Sequence, residues 1–126
     1  MKFLHSMIRV KDEEKSLRFY CDFLGFKKGA RVRLEDCYLQ YLKDEESGIE
    51  IEFTINDEIP KGGYSNGSAF GHFALECDNL DELSKRAKEF GYVFDVEPFY
   101  LKEVNSNIAF MLDPDGNSIE FIEKKI

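Results

Sequence analysis

Apolar positions along the chain follow two spacings, and each spacing occurs in both halves. The first half opens with an alternating, strand-like stretch, then shows apolar side chains every three or four residues before a glycine, a pattern typical of an amphipathic helix. Three further strand-like stretches follow. The pattern thus predicts a strand at 3–10, a helix at 12–24 and strands at 26–34, 37–42 and 48–55.

The second half repeats this order after a loop rich in glycine, at 57–68. We expect a strand at 69–76, a helix at 80–90 and strands near 92–96, 107–112 and 118–122. The predicted fold class is α+β, built from two tandem βαβββ modules at about 1–56 and 69–126.

Short identities between the two halves support an internal repeat. His5 and His72, each on a predicted first strand, are 67 residues apart in the sequence. The sequence Ile-Glu-Phe occurs at 51–53 and again at 119–121, an offset of 68. The end of the first predicted helix matches that of the second at an offset of 66. Nearly equal offsets at three separate places indicate that one module is duplicated.

Composition and charge exclude several classes of protein. The 126 residues include 17 basic and 25 acidic side chains, so the net charge of −8 disfavours a nucleic-acid partner. No apolar run approaches the roughly 20 residues of a membrane span, and His5 interrupts the start of the chain, so no signal peptide is expected. Three cysteines without CxxC spacing are typical of reduced thiols. We expect a cytoplasmic location and no association with membranes.

The repeat places the only two histidines, and one glutamate in each half, at equivalent positions. His5 precedes Glu52 by 47 residues, and His72 precedes Glu120 by 48. If a pseudo-two-fold axis relates the halves, two imidazoles and two carboxylates converge, a donor set that suits Ni²⁺, Co²⁺ or Zn²⁺ better than Ca²⁺. Glu50 shares a strand face with Glu52, but the second half has serine at the matching position. The sequence therefore predicts a metal site with four ligands.

Five stretches carry motifs of a known family. They are Leu-His-Ser-Met-Ile-Arg-Val at 4–10, the helix and its glycine at 16–25, Ile-Glu-Phe-Thr with the following asparagine at 51–56, Phe-Gly-His-Phe-Ala-Leu at 70–75, and Asp-Pro-Asp-Gly leading to Ile-Glu-Phe-Ile at 113–122. With these motifs the chain resembles bacterial glyoxalase I (lactoylglutathione lyase), within the vicinal oxygen chelate superfamily. The resemblance covers essentially the whole chain and implies a single domain of the glyoxalase/bleomycin-resistance type over 1–126.

The resemblance implies a metal-dependent carbon–sulfur lyase that detoxifies methylglyoxal. Its substrate would be the hemithioacetal of methylglyoxal and glutathione, and its product S-D-lactoylglutathione, formed by proton transfer through an enediolate. Metal ligands would be His5, Glu52, His72 and Glu120, with Glu120 as the principal base and Glu52 as ligand or assisting base. Histidine at the first ligand position favours Ni²⁺ or Co²⁺ over Zn²⁺ in this family.

The resemblance also implies how substrate and subunits are arranged. Arg9 and Asn56 match residues that hold a glutathione carboxylate, and the family forms homodimers whose active sites are shared between chains. Glu76 is the repeat equivalent of Arg9. We therefore expect Glu76 of one chain to lie close to Arg9 of the other, which would weaken the binding of glutathione.

Three classes of function compete at this stage. The first is the glyoxalase isomerase, using glutathione or a different thiol. The second is another metalloenzyme of the superfamily, namely an epimerase, a dioxygenase or an antibiotic-modifying transferase, but dioxygenases and such transferases use two histidines and one glutamate and would leave Glu52 without a role. The third is a metal-free binding module, which would be expected to lack the histidines and glutamates that this chain has.

Overall fold

Two compact units make up the protein in a computed structural model that describes residues 1–124. The first unit comprises Met1–Ser65 and the second begins at Asn66. Each unit contains a strand, a helix and three further strands, and each has its own four-stranded mixed sheet. The predicted α+β class with two tandem βαβββ modules is confirmed.

The elements of the first unit are β1 (His5–Arg9), α1 (Glu13–Leu17), β2 (Lys27–Arg33), β3 (Cys37–Lys43) and β4 (Glu50–Asn56). Its sheet has the strand order β1-β4-β3-β2, with β1 parallel to β4 and the other pairs antiparallel. This order places the first and last strands of the module side by side at one edge. Residues far apart in sequence therefore become neighbours there.

The helix of the first unit changes its winding part-way along. Asp12 caps α1 by accepting a hydrogen bond from the backbone N–H of Lys15. Over Arg18–Phe23 the helix continues with π-helical winding. The backbone N–H of Leu24 accordingly donates to the carbonyl of Phe19, five residues earlier. The sequence predicted one uniform helix up to Leu24. The wider winding is accompanied by complete burial of three aromatic side chains, those of Phe19, Tyr20 and Phe23.

The elements of the second unit are β5 (His72–Glu76), α2 (Leu80–Phe90), β6 (Val96–Leu101), β7 (Ser106–Leu112) and β8 (Ser118–Lys124). Its sheet has the equivalent strand order β5-β8-β7-β6, with β5 parallel to β8. The helix begins after Asn79, whose side chain accepts a hydrogen bond from the N–H of Glu82. It ends at Gly91, which has the positive φ of 83° that glycine adopts without strain.

One predicted strand was wrong in position. The alternating apolar residues at 92–96 predicted a strand, but β6 covers Val96–Leu101. Tyr92 stacks on Phe90 instead, and Phe94 packs edge-on against Phe121. These side chains fill space beside helix and sheet, so their alternation reflects packing and does not reflect strand pairing.

The helix and the candidate functional residues lie on opposite faces of the first sheet. Tyr20 contacts Phe53 of β4 at a ring-centroid distance of 5.5 Å, which marks the face covered by the helix. Successive side chains of a strand point to opposite faces, so the neighbouring Glu52 points away from that core. No helix in the described part of the chain has the length and hydropathy of a membrane-spanning segment.

Candidate metal centre

The first histidine–glutamate pair forms where β1 and β4 run side by side. His5 Nε2 lies 3.1 Å from Oε2 of Glu52. The backbone partner of His5 across the two strands is Glu50, so the contact to Glu52 runs diagonally along the sheet. The glutamate side chain is 12% exposed and the imidazole 35%, so the carboxylate is mostly covered while the ring reaches solvent. The glutamate favoured by the repeat is therefore the one that contacts His5.

The second unit builds the same pair from equivalent strands. His72 Nε2 lies 3.3 Å from Oε1 of Glu120, with side-chain exposures of 41% and 15%. His72 is opposite Ser118 across β5 and β8, and the contact again reaches the residue two positions further along. The duplicated sequence thus produces duplicated side-chain geometry within each unit.

The donor atoms of both pairs have a spacing suited to a divalent metal. Nitrogen and oxygen ligands lie about 2.1 Å from such an ion, so two adjacent ligands at right angles are separated by about 3.0 Å. The observed separations of 3.1 and 3.3 Å are close to this value. Among residues 1–124, no group of three or more histidine, cysteine, aspartate or glutamate side chains is placed to hold a metal. Each unit therefore presents two of the four predicted donors.

An aromatic ring lies edge-on to each histidine, and the two rings differ in one hydroxyl. Tyr41 on β3 lies 5.6 Å from His5, with an interplanar angle of 78°. Phe110 on β7 lies 5.6 Å from His72 at 77°. Tyr41 is directly opposite Glu52 across β3 and β4, and interaction of its hydroxyl with that carboxylate is the main cause of a raised pKa for Tyr41. Tyr41 was not among the residues predicted from the sequence.

The predicted substrate-binding residues lie on the same two strands as the first pair. Arg9 is exposed at the end of β1, and Asn56 ends β4. The side-chain amide of Asn56 donates to the hydroxyl of Tyr64 at 3.0 Å. Tyr64, which the sequence analysis did not single out, thus fixes the orientation of this amide. That Arg9 and Asn56 bind substrate stays a prediction.

Two acidic residues have basic partners within their own unit: Asp57, which follows Asn56 in the sequence, and Glu76, the repeat equivalent of Arg9. Asp57 accepts two hydrogen bonds from Arg33, at 2.7 and 2.6 Å, and the guanidinium lowers the pKa of Asp57 below its ordinary value. Glu76 lies 3.0 Å from Nζ of Lys124. The expected pairing of Glu76 with Arg9 across a dimer stays a prediction.

The turn before β8 is held together by one buried carboxylate. Asp113 accepts hydrogen bonds from the backbone N–H groups of Asp115 and Asn117 and from the side chain of Asn117. Gly116 has a φ of 85°, which the turn requires. This turn fixes the start of the strand that carries Glu120.

The cysteines lie outside both pairs and have the properties of structural thiols. All three, Cys21, Cys37 and Cys77, are free. Burial raises the pKa of each thiol, to about 11 for Cys77, so little reactive thiolate forms at neutral pH.

Comparison with known proteins identifies the family. Residues 2–121 match the model of the Glyoxalase/Bleomycin resistance protein/Dioxygenase superfamily. The chain belongs to this superfamily. Within it, the chain is 38% identical to a lactoylglutathione lyase of Neisseria meningitidis, covering 99% of this chain and 92% of that one. It is 36% identical to the lactoylglutathione lyase of Haemophilus influenzae, covering 99% and 94%.

A solved structure in the superfamily agrees with this assignment. The trypanothione-dependent glyoxalase I of Leishmania major superimposes with a TM-score of 0.81 and 28% identity, covering 98% of this chain and 87% of that one. Both the sequence relatives and this structure therefore match over nearly the full length of the chain.

Proposed function

We propose that this superfamily member is a lactoylglutathione lyase. It converts the hemithioacetal of methylglyoxal and glutathione into S-D-lactoylglutathione. The observation that carries this proposal is the histidine–glutamate pair in each unit, in a chain that matches lactoylglutathione lyases over 99% of its length. An epimerase, dioxygenase or antibiotic-modifying transferase is not favoured, because the full-length relatives are lyases and because both glutamates lie against a histidine.

In this proposal the metal ligands are His5, Glu52, His72 and Glu120. When bound, a divalent metal acts as a Lewis acid that stabilises negative charge on the two neighbouring oxygens of the substrate. We favour Ni²⁺ or Co²⁺ over Zn²⁺, because the first ligand is an imidazole. The spacing of the nitrogen and oxygen donors supports ligation, since it is that of adjacent ligands on one ion.

The two glutamates have different roles in the proton transfer. Glu120 takes the proton from C1 of the hemithioacetal and delivers it to C2, while the hydroxyl proton passes from the oxygen on C1 to the oxygen on C2. The C1–O bond becomes a carbonyl and the C2 carbonyl becomes an alcohol, so the reaction is an isomerisation without net oxidation. Glu52 serves mainly as a ligand and assists from the other side.

Arg9 and Asn56 hold a carboxylate of the glutathione moiety. A guanidinium fork matches the two oxygens of a carboxylate, and the amide of Asn56 can donate beside it. The hydrogen bond to Tyr64 supports this role, because it limits rotation of that amide. We retain glutathione as the thiol because the sequence relatives are named lactoylglutathione lyases.

The proposal includes a homodimer with shared sites. His5 and Glu52 of one chain then face His72 and Glu120 of the other, so that two half-sets of ligands complete one centre. The presence of two donors in each unit supports this arrangement. A cytoplasmic location is supported by three free cysteines, which persist in reducing compartments. The single-domain organisation over 1–126 stays a prediction.

The test is a reconstitution assay with defined metals. Demetallated protein receives Ni²⁺, Co²⁺ or Zn²⁺, then methylglyoxal premixed with glutathione, and the thioester absorbance is followed. We expect turnover with nickel or cobalt, and its loss in Glu52→Gln. The matched control is Glu50→Gln on the same strand, which should retain activity because the ion pair of His5 is with Glu52. The proposed reaction would be contradicted if the protein binds metal stoichiometrically but shows no turnover, either with glutathione or when trypanothione or another thiol replaces it.

A further inference from the structure

An aromatic ring lies beside each histidine–glutamate pair, and the two rings differ by one hydroxyl. Tyr41 lies directly opposite Glu52 across β3 and β4, and Phe110 lies directly opposite Glu120 across β7 and β8. Both rings meet their histidine edge-on at a centroid distance of 5.6 Å. The environments of the two carboxylates therefore differ by the hydroxyl that Tyr41 has and Phe110 lacks.

That hydroxyl changes what Glu52 can do. Tyr41 is opposite the Glu52 carboxylate, which is already in contact with His5, so the Tyr41 hydroxyl is the group that can donate a hydrogen bond to this carboxylate. A second partner fixes the orientation of a carboxylate, as hydrogen bonds around metal ligands commonly do. At the same place beside Glu120, the edge of the Phe110 ring offers no hydroxyl donor. The second carboxylate thus lacks this restraint.

We propose that Tyr41 is a positioning residue that keeps Glu52 in place as a fixed ligand, whereas phenylalanine at the equivalent position leaves Glu120 free to carry the proton. The inference rests on the proposed function and explains why two carboxylates with matching backbone positions would take different roles. A proton carrier must leave its resting position, reach C1 and then C2, and return. A hydrogen bond from a neighbouring hydroxyl would oppose each of these movements.

The test exchanges the hydroxyl between the two rings. In the Co²⁺-loaded protein, Tyr41→Phe should weaken Co²⁺ binding by about tenfold, measured in competition with a chromophoric chelator. It should also alter the visible absorption of the bound Co²⁺, because Glu52 is no longer held in one orientation. Phe110→Tyr should lower kcat by about tenfold without weakening Co²⁺ binding, because the hydroxyl then restrains Glu120.

The matched control removes a hydroxyl from the same strand away from the pair. Tyr38→Phe should leave the Co²⁺ affinity and spectrum unchanged, since Tyr38 lies beneath Arg31 and Arg33 and does not contact His5. Circular dichroism would establish that all three variants are folded. If Tyr41→Phe fails to fold, the loss of kcat expected for Phe110→Tyr still tests the idea.

The outcomes separate this inference from the function on which it rests. If the unmodified protein binds no Co²⁺, the proposed metal centre is wrong and the inference falls with it. If it binds Co²⁺ and turns over, but Tyr41→Phe keeps both affinity and spectrum or Phe110→Tyr keeps kcat, the role of Tyr41 is wrong and the proposed function stands.

Discussion

Glu52 Oε2 lies 3.1 Å from His5 Nε2, although Glu50 is the residue that pairs with His5 across the strands. The side chains meet diagonally, and the same diagonal joins His72 to Glu120. In each unit the last strand therefore places its glutamate two residues beyond the backbone partner of the histidine.

Replacing Glu120 by glutamine should remove the proton carrier. A side-chain amide keeps the shape of the carboxylate but cannot accept a proton, so we expect kcat to fall by about 10² to 10⁴-fold. Steady-state assays with the nickel-loaded protein measure this loss. Glu97→Gln, which alters an exposed carboxylate on β6, is the control and should keep its rate. Normal turnover in folded Glu120→Gln would contradict the role given to this residue.

Replacing His5 by glutamine should change the metal preference. An imidazole nitrogen suits nickel and cobalt, whereas an amide oxygen is a harder donor. We expect activity with Ni²⁺ to fall and the ratio of kcat/KM with Zn²⁺ to that with Ni²⁺ to rise. The control is the same substitution at His72, where we expect activity to fall with every metal. An unchanged ratio in His5→Gln would show that the first ligand does not determine the metal.

Much of the fold could be predicted because the sequence contains the same module twice. Periodicity located both helices and seven of the eight strands, and the repeat chose Glu52 over Glu50 from the sequence alone. In the structure β4 brings Glu52 into contact with His5, and the role of Glu52 as a metal ligand stays a prediction. Patterns that recur after 66 to 68 residues show which positions are equivalent in the two modules, and a single module could not show this.

The remainder depended on contacts between residues distant in sequence. The start of β6 was misplaced because Phe94 has a strand-like spacing but serves to pack against Phe121. The π-helical winding at Arg18–Phe23 has no local sequence signal, since it accompanies the packing of three aromatic rings. That Tyr41 is a neighbour of Glu52 can be recognised only once β3 is known to lie beside β4.

The pair formed by Arg33 and Asp57 predicts a pH-dependent part of the stability. The guanidinium lowers the pKa of Asp57 below its ordinary 3.8, so the folded state binds this proton less readily than the unfolded state. The stabilisation is therefore complete above pH 3.8 and is lost as the pH falls through the lower, folded-state pKa. Both groups are exposed, so the effect is small.

Urea unfolding of Asp57→Asn between about pH 6 and about pH 3 tests this expectation. The midpoint of the variant should lie below that of the unmodified protein at pH 6, and the difference should shrink below pH 3.8. Glu58→Gln, which removes the adjacent exposed carboxylate, controls for net charge. A midpoint difference that grows on acidification would have the wrong sign.

Substitution of Arg9 should separate substrate binding from chemistry. Losing hydrogen bonds to a charged carboxylate costs about 1.5 to 3 kcal/mol, so Arg9→Gln should raise KM for the hemithioacetal by about tenfold or more. We expect kcat to change little, because Arg9 ends β1 four residues after His5 and acts on the glutathione moiety. Arg9→Lys should recover only part of the loss, since an ammonium cannot form the two parallel hydrogen bonds of a guanidinium.

The same assay tests whether Glu76 competes for Arg9 across a dimer. If it does, Glu76→Gln should lower KM, because the guanidinium is then available to the glutathione carboxylate. Lys124→Gln is the complementary variant, because it removes the basic partner that Glu76 has within its own unit. Releasing Glu76 from Lys124 should raise KM if the released carboxylate engages Arg9 instead. Unchanged KM values in both variants would mean that Arg9 and Glu76 do not interact.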